Sequence, residues 1–277
     1  MAIPSFRVLL FYKYVSIHDY EAVAREHLAF CQKLGVRGRV LIAEEGINGT
    51  VSGTPEQCEA YMAELRLDSR FEDVWFKQDM TDAHVFPAMH VRAKRELVTF
   101  RSSSPDPTTL TGRYLSPEEW RDIMLAQRDD VIIVDGRSDY EWDAGHFEGA
   151  VRPDVQSFRE FPAWIREHFS QHKDKTVLTY CTGGIRCEKL TGFLLQEGFK
   201  DVAQLHGGIV NYAHNEAVHG EGFVGRCYVF DGRVSVPVNP NDPAALANPR
   251  AVPHRGEAHQ SASYPEVPFR DEGDSER

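Results

Sequence analysis

The stretch Thr176-Val-Leu-Thr-Tyr-Cys181-Thr-Gly-Gly-Ile-Arg186-Cys187-Glu-Lys carries the reading of this chain. Apolar and β-branched residues run up to Tyr180, which describes a buried strand. Thr182, Gly183, Gly184, Ile185 and Arg186 then make a short loop, and a helix is predicted from about Cys187. Adjacent glycines let a backbone curl until its N–H groups converge on one point, a nest that attracts an anion. The helix start adds the positive end of its dipole to the same point. A thiol at position 181 is thereby driven toward the thiolate, the nucleophilic form. Arg186 offers a planar cation for an anionic substrate or a charged sulfur intermediate. Free cysteine also occurs as plain core filling. The paired glycines and the arginine that closes the loop favour chemistry.

The flanking sequence sets this loop in an α/β domain. Ser116-Pro-Glu-Glu119 opens a helix with a cap, a proline in the first turn and a glutamate three residues on. Val131 to Val134 is a continuous apolar run, as a central parallel strand requires. Phe161 to Phe169 reads as an amphipathic helix with Pro162 in its first turn. Helices alternating with short buried strands imply a doubly wound parallel sheet covered on both faces. Its ligand site belongs at the carboxyl ends of the strands, where Cys181 falls.

Residues 5–100 alternate elements in a βαββαβ-like order. Phe6 to Val15 is strand-like, and Asp19 is placed to cap a helix that Gly35 ends. Strands from Arg39 to Ala43 and Thr50 to Ser52 form a hairpin around a Gly46-Ile-Asn48-Gly49 turn. Thr54, Pro55 and Gln57 open a second helix ending near Leu67. Phe71 to Lys77 and Met89 to Phe100 supply further strands. A four-stranded antiparallel sheet with two helices on one face, ferredoxin-like, fits this order. The expected organisation is an N-terminal ferredoxin-like α+β domain (1–100), a polar, Pro-rich linker (101–111), an α/β domain (112–222), an extension (223–240) and a disordered tail (241–277).

The central motif resembles a known family. Cys181-Thr-Gly-Gly184-Ile-Arg186 after a strand is similar to the active-site loop of rhodanese-type sulfurtransferases, whose cysteine carries a persulfide. Val131-Ile-Ile-Val-Asp135-Gly-Arg137, Glu141-Trp-Asp-Ala-Gly145-His146-Phe-Glu-Gly149-Ala150 and Gly198 to Ile209 resemble other rhodanese segments, so the likeness spans roughly 112–215. Leu10-Phe-Tyr-Lys-Tyr14, Gly38 to Gly53 and Gly225-Arg-Cys227 to Pro237 narrow it to the bacterial tRNA uridine(34) hydroxylase family, over about residues 5–240. The resemblance implies a rhodanese domain joined to a small N-terminal domain. It implies an oxygen-dependent conversion of the wobble uridine of tRNA to 5-hydroxyuridine, with Cys181 as the catalytic residue and molecular oxygen as co-substrate. Many relatives continue into a cysteine-rich tail that looks metal-binding, whereas no cysteine follows Cys227 here. If that tail helps relatives grip tRNA, this chain does so otherwise.

The chain has 277 residues, enough for two domains that each bury a core. No apolar run reaches the roughly 18–20 residues needed to cross a bilayer, and no basic stretch with an apolar core opens the chain. Five cysteines (31, 58, 181, 187 and 227) form no disulfide framework, which suits a reduced, cytoplasmic protein. A net charge of −11 opposes generic nucleic-acid binding and gives no reason to expect DNA or a membrane as partner. A local basic patch nevertheless suffices for a tRNA anticodon loop, because screening confines the relevant field to about 8–10 Å. Arg37 and Arg39, Arg92, Lys94 and Arg95, and Arg186 with Lys189 are the candidates for such a patch.

Asp135 and Arg137 at a strand end, with Arg152 nearby in sequence, are read first as an ion pair that ties loops around the site and second as substrate contacts. His146 reads as a hydrogen-bonded turn histidine before a general base. Cys187 reads equally as a resolving thiol and as helix-start packing. Cys31 and Cys58 read as inert core. His214 and His219 with Glu216 and Glu221 come closest to metal ligands, but at no recognisable spacing, so no metal is expected, no cofactor is identifiable, and oxygen use falls to cysteine chemistry or to a cofactor the sequence does not reveal. Gly46 to Thr50 suits either a hairpin turn or an RNA-backbone contact. Tyr12, Tyr14, Trp75 and Phe76 suit either core packing or stacking on unpaired bases.

The leading reading is a tRNA hydroxylase in which a Cys181 thiolate adds to C6 of uridine and makes C5 electron-rich, or in which a persulfide or oxidised sulfur at Cys181 delivers the oxygen. Its rivals are a sulfurtransferase working through a Cys181 persulfide and a redox-sensing module with a Cys181–Cys187 disulfide. A cysteine phosphatase is weaker, since its loop is one residue longer.

Overall fold

A computed structural model describes residues 5–100 and 105–246. Part of the expected linker (101–104) and most of the expected tail (247–277) lie outside the described residues.

The N-terminal domain runs β1 (Phe6–Tyr14), α1 (Tyr20–Leu34), β2 (Arg37–Ala43), β3 (Gly46–Gly53), α2 (Pro55–Leu67), β4 (Lys77–Thr81) and β5 (Met89–Ala93). The strands lie in the order β4-β1-β3-β2-β5. The first four are antiparallel neighbours in the ferredoxin-like arrangement, while β5 joins β2 in parallel, so the sheet has five strands instead of four. Leu9, Phe11, Val40, Ile42, Ile47 and Val51 point to one face and form a core with α1 and α2. Thr54 and Gln57 satisfy each other's backbone amides at the start of α2, the reciprocal cap that its sequence announces.

Four local expectations change. Gly46 to Gly49 is not a turn but the start of β3; the hairpin loop is Glu44–Glu45. Glycine stands at 49 because the Phe11 ring crosses it, and a Cβ there would lie 2.6 Å from that ring. The strand expected over Phe71–Lys77 begins only at Lys77, since Phe71 and Val74 donate to Asp68 and Phe71 carbonyls in turns. The strand expected to Phe100 stops at Ala93, and the Leu97 and Phe100 amides donate to the Glu45 and Glu96 carboxylates. Asp19 makes no side-chain cap; it accepts from Arg70.

The second domain contains β6 (Arg113–Leu115), α3 (Pro117–Leu125), β7 (Val131–Asp135), α4 (Asp139–Ala144), β8 (Gly145–Phe147), α5 (Phe161–His168), β9 (Thr176–Tyr180), α6 (Ile185–Gln196), β10 (Asp201–Leu205) and α7 (Gly208–His214). Its parallel sheet has the order β6-β10-β9-β7. Trp120 and Met124 of α3 and Ile209 and Tyr212 of α7 pack with Leu178, Tyr180 and Leu205 on one face. Phe161, Trp164, Leu190, Phe193 and Leu194 of α5 and α6 pack with Val134, Val177 and Val202 on the other. The doubly wound reading of this half therefore stands. β11 (Phe223–Tyr228) returns to pair with β8, and β12 (Ser235–Pro237) pairs with β11, so the extension closes over the same domain.

Candidate active site

Cys181 directly follows β9, which lies between β10 and β7, at the carboxyl end of the sheet. The loop is shorter than expected, because α6 begins at Ile185 with Gly184 as its cap residue. Gly184 takes φ +103°, a conformation that L side chains rarely adopt. This turns its N–H onto the Cys181 sulfur at 3.1 Å. Burial alone would raise the thiol. A hydrogen bond from the Cys187 side chain, the Arg186 charge and the Arg186 and Cys187 amides outweigh it and hold Cys181 below its ordinary value. Cys187 moves the opposite way, raised by burial and by its anionic neighbour. The two sulfurs thus form a thiolate and the thiol that donates to it, and both cysteines are free.

Arg186 is committed differently from the expectation that it faces substrate. Its Nη1 and Nη2 donate to the two Glu141 oxygens at 2.7 and 2.8 Å, and Nη2 also reaches Thr182 Oγ1 at 3.3 Å. Glu141 is fully buried; burial would raise its pKa, but the Arg186 charge and hydrogen bonds hold it below the usual carboxylate range. The guanidinium is therefore a fixed charge behind the sulfur. Asp135 and Arg137 form a fully buried pair, Nη2 to Oδ2 at 2.6 Å, and Arg137 Nη2 also donates to the Gly145 carbonyl at 2.6 Å. They tie β7 to β8 and reach no solvent. His146 stacks on Trp142 at 3.5 Å and is lowered by burial, and its Nδ1 lies 3.1 Å from the Trp142 carbonyl oxygen. Burial raises Cys31 and Cys227 to about 12 and Cys58 to about 11, which leaves Cys181 as the activated thiol among the described residues.

The N-terminal sheet roofs this loop. Leu10 and Tyr12 of β1 lie so close to Gly183 and Gly184 that a Cβ at either would come within 3.0 or 2.9 Å of them. Tyr12 donates to Glu188 at 2.7 Å, and Tyr14 to the Ile185 carbonyl at 3.3 Å. Glu188 is buried and also accepts from Thr111, Tyr114 and Gln204 at 2.9–3.1 Å. Lys189, expected in a basic surface patch, is buried against Glu45 and Glu96 at 2.9 and 3.0 Å. The first turn of α6 therefore fastens the domains together beside the thiolate. Tyr12 and Tyr14 serve that joint, and Phe76 is core. Trp75 stays 42% exposed and stacks on His206, which Tyr114, 50% exposed, meets edge-on.

A cleft of about 750 Å³ opens between the domains, with Leu10, Thr50, Lys77, Thr182, His214 and Phe230 among its walls. Thr182 is part of its wall, and the preceding Cys181 is itself fully buried. One transverse row of paired residues, His90–Arg39–Thr50–Leu10–Lys77, crosses the sheet from its outer edge into the cleft. Arg37, Arg39, Arg92, Lys94 and Arg95 are all exposed at that outer edge. His214 contacts Asp79 at 3.7 Å, and among the described residues no group of three or more His, Cys, Asp or Glu is arranged to hold a metal ion.

Residues 6–97 match the family model described as the UPF0176 acylphosphatase like domain, and residues 116–215 that of the Rhodanese-like domain. The chain is 57% identical to the tRNA uridine(34) hydroxylase of Bacillus licheniformis, over 84% of this chain and 72% of that one. It is 55% identical to the protein of that name in Shouchella clausii, over 84% and 73%. Against the Bacillus cereus protein of that name, the figures are 49% identity over 94% and 82%.

Proposed function

The chain belongs to the tRNA uridine(34) hydroxylase family, and from that membership we infer that it is an enzyme that hydroxylates the wobble uridine of tRNA. Cys181 is the catalytic residue in this reading, and the observation that carries it is the sulfur held ionised by the Gly184 amide, the Cys187 thiol and the Arg186 charge. A thiolate adds to C6 of a uracil ring, and the C5=C6 electron pair then makes C5 nucleophilic toward oxygen. Net insertion of one atom of molecular oxygen at C5 releases the other as water and consumes a two-electron donor. The loop residues Thr182 to Arg186 hold the sulfur, Glu141 holds the loop through Arg186, and Asp135 with Arg137 ties β7 to β8.

An anticodon loop is the part of tRNA that presents this base. The row running from Arg39 to the cleft offers it phosphate-binding cations at the outer end, and the exposed Phe230 in the cleft wall offers a ring for an unstacked base. A cytoplasmic location belongs to the same reading, and no helix among the described residues is long and apolar enough to cross a membrane. The loop length from Cys181 to Arg186 favours, as a second reading, sulfur transfer through a persulfide on the same cysteine. Incubation of unmodified tRNA with the full chain in air and a two-electron reductant separates the two. Nucleoside mass spectrometry then finds 5-hydroxyuridine at position 34, whereas sulfane sulfur transfer with no change in tRNA would favour the second.

A further inference from the structure

Lys77 is a cation with no counter-ion in contact among the described residues. It opens β4, is 6% exposed, and lies directly across from Leu10 in the row that enters the cleft. Its ammonium sits over the Tyr12 ring at 5.0 Å and the Trp75 ring at 4.7 Å. No hydrogen bond or ion pair to it is found among the described residues. Cation–π contacts hold such a group in place without neutralising it or filling its three donor positions. Arg186 is paired with Glu141 and Lys189 with Glu45 and Glu96. Lys77 is thus the buried ammonium in the cleft that still has hydrogen bonds to give.

We propose that Lys77 binds the pyrimidine carbonyl oxygen that takes up negative charge when the Cys181 thiolate adds to the uracil ring. This rests on the uridine reading of the site. In that step the S–C6 bond forms, the C5=C6 π pair moves through C4 onto O4, and the sulfur passes from anion to thioether. The negative charge transferred to O4 meets the ammonium, and no oxidant or reductant is involved. One preorganised donor at a developing oxyanion is worth about 10²–10³ in rate.

The groups facing Lys77 are Tyr12 on β1, Cys181, Glu188 on α6 and His206 after β10, with Asp79 two residues along its own strand. Burial lowers Lys77 to about 8, against the pull of Cys181 and Glu188. The ammonium is therefore lost as pH rises through that value, and the addition step slows with it.

The test uses the full chain with unmodified tRNA in deuterated water without oxygen, where reversible addition at C6 washes deuterium into C5 of uridine 34. Lys77→Gln is expected to slow this exchange about 100-fold at unchanged tRNA affinity. Lys77→Arg is expected to restore much of it and to remove the alkaline decline, because a guanidinium keeps its charge. Wild-type exchange in Lys77→Gln with an unaltered pH profile overturns the proposal and leaves the hydroxylase reading intact. A wild-type protein that hydroxylates in air but never exchanges overturns addition at C6, and the proposal with it. A wild-type protein that does neither overturns the underlying reading.

Discussion

Tyr12, in the first strand of the N-terminal domain, donates its hydroxyl to Glu188, seven residues beyond Cys181, at 2.7 Å. That bond joins the two domains at the first turn of the helix whose amino end faces the thiolate. The Cys181 loop is thus completed by both halves of the chain, since the same tyrosine forms the roof above Gly184.

Tyr12→Phe removes one donor from a buried carboxylate that keeps its other partners. Hydrogen bonds to charged groups contribute about 1.5–3 kcal/mol. Urea unfolding of the variant is expected to show a loss in that range, with limited proteolysis locating the loosening at the domain joint.

Arg186→Gln removes the charge behind the sulfur. An opposite charge at close range lowers a pKa by about 1–3 pH units, so the Cys181 thiolate should form at correspondingly higher pH. The sign is fixed by the depressed value. In the wild type the thiolate persists as pH falls below the usual range of about 8.5, and in the variant it is lost earlier on the way down. The ultraviolet thiolate band, taken as the difference from Cys181→Ser, measures both midpoints.

Gly184→Ala places a methyl group on a backbone at φ +103°, 2.9 Å from the Tyr12 hydroxyl. Strained backbone of this kind costs about 1–3 kcal/mol. The amide that supports the sulfur shifts with it, so hydroxylation is expected to fall about 100-fold, as for loss of one anion-stabilising donor. Nucleoside mass spectrometry and urea unfolding read the two effects separately.

Arg39→Glu tests the outer end of the row that leads into the cleft. Affinity for tRNA is expected to fall, and the dependence of binding on salt to flatten by about one phosphate contact. Wild-type affinity and salt dependence in this variant would remove the sheet edge from the RNA surface.

The parts of this fold that sequence made legible are those coded within a few residues. β9 and its loop, the reciprocal caps at Thr54 and Ser116, and the alternation of the second domain are local signals. The second domain's sheet and the ferredoxin-like strand order followed from them. The ends of β3, β4 and β5 did not, because glycines that let Phe11 cross a strand look like turn residues until the crossing is seen. Likewise, the amides of Leu97 and Phe100 go to carboxylates instead of a neighbouring strand. The site divides in the same way. Cys181 and its loop were read from one motif. Lys77 and Glu188 were missed because their meaning arises from contacts across more than a hundred residues. Two cues were available: a lysine directly after Trp75-Phe76, and an adjacent Glu-Lys in a helix whose residues are buried from Cys187 to Leu194. In the sequence Arg186 and Lys189 both look like outward cations, and the ion pairs that turn them inward lie on segments far away in sequence.

In the proposed reaction the ionised sulfur of Cys181 acts on uridine 34. The most direct measurement of this role is the 5-hydroxyuridine content of tRNA incubated with the Cys181→Ser chain, beside that chain's affinity for the same tRNA. No 5-hydroxyuridine at undiminished affinity is expected. A serine variant that hydroxylates at the wild-type rate would contradict that role.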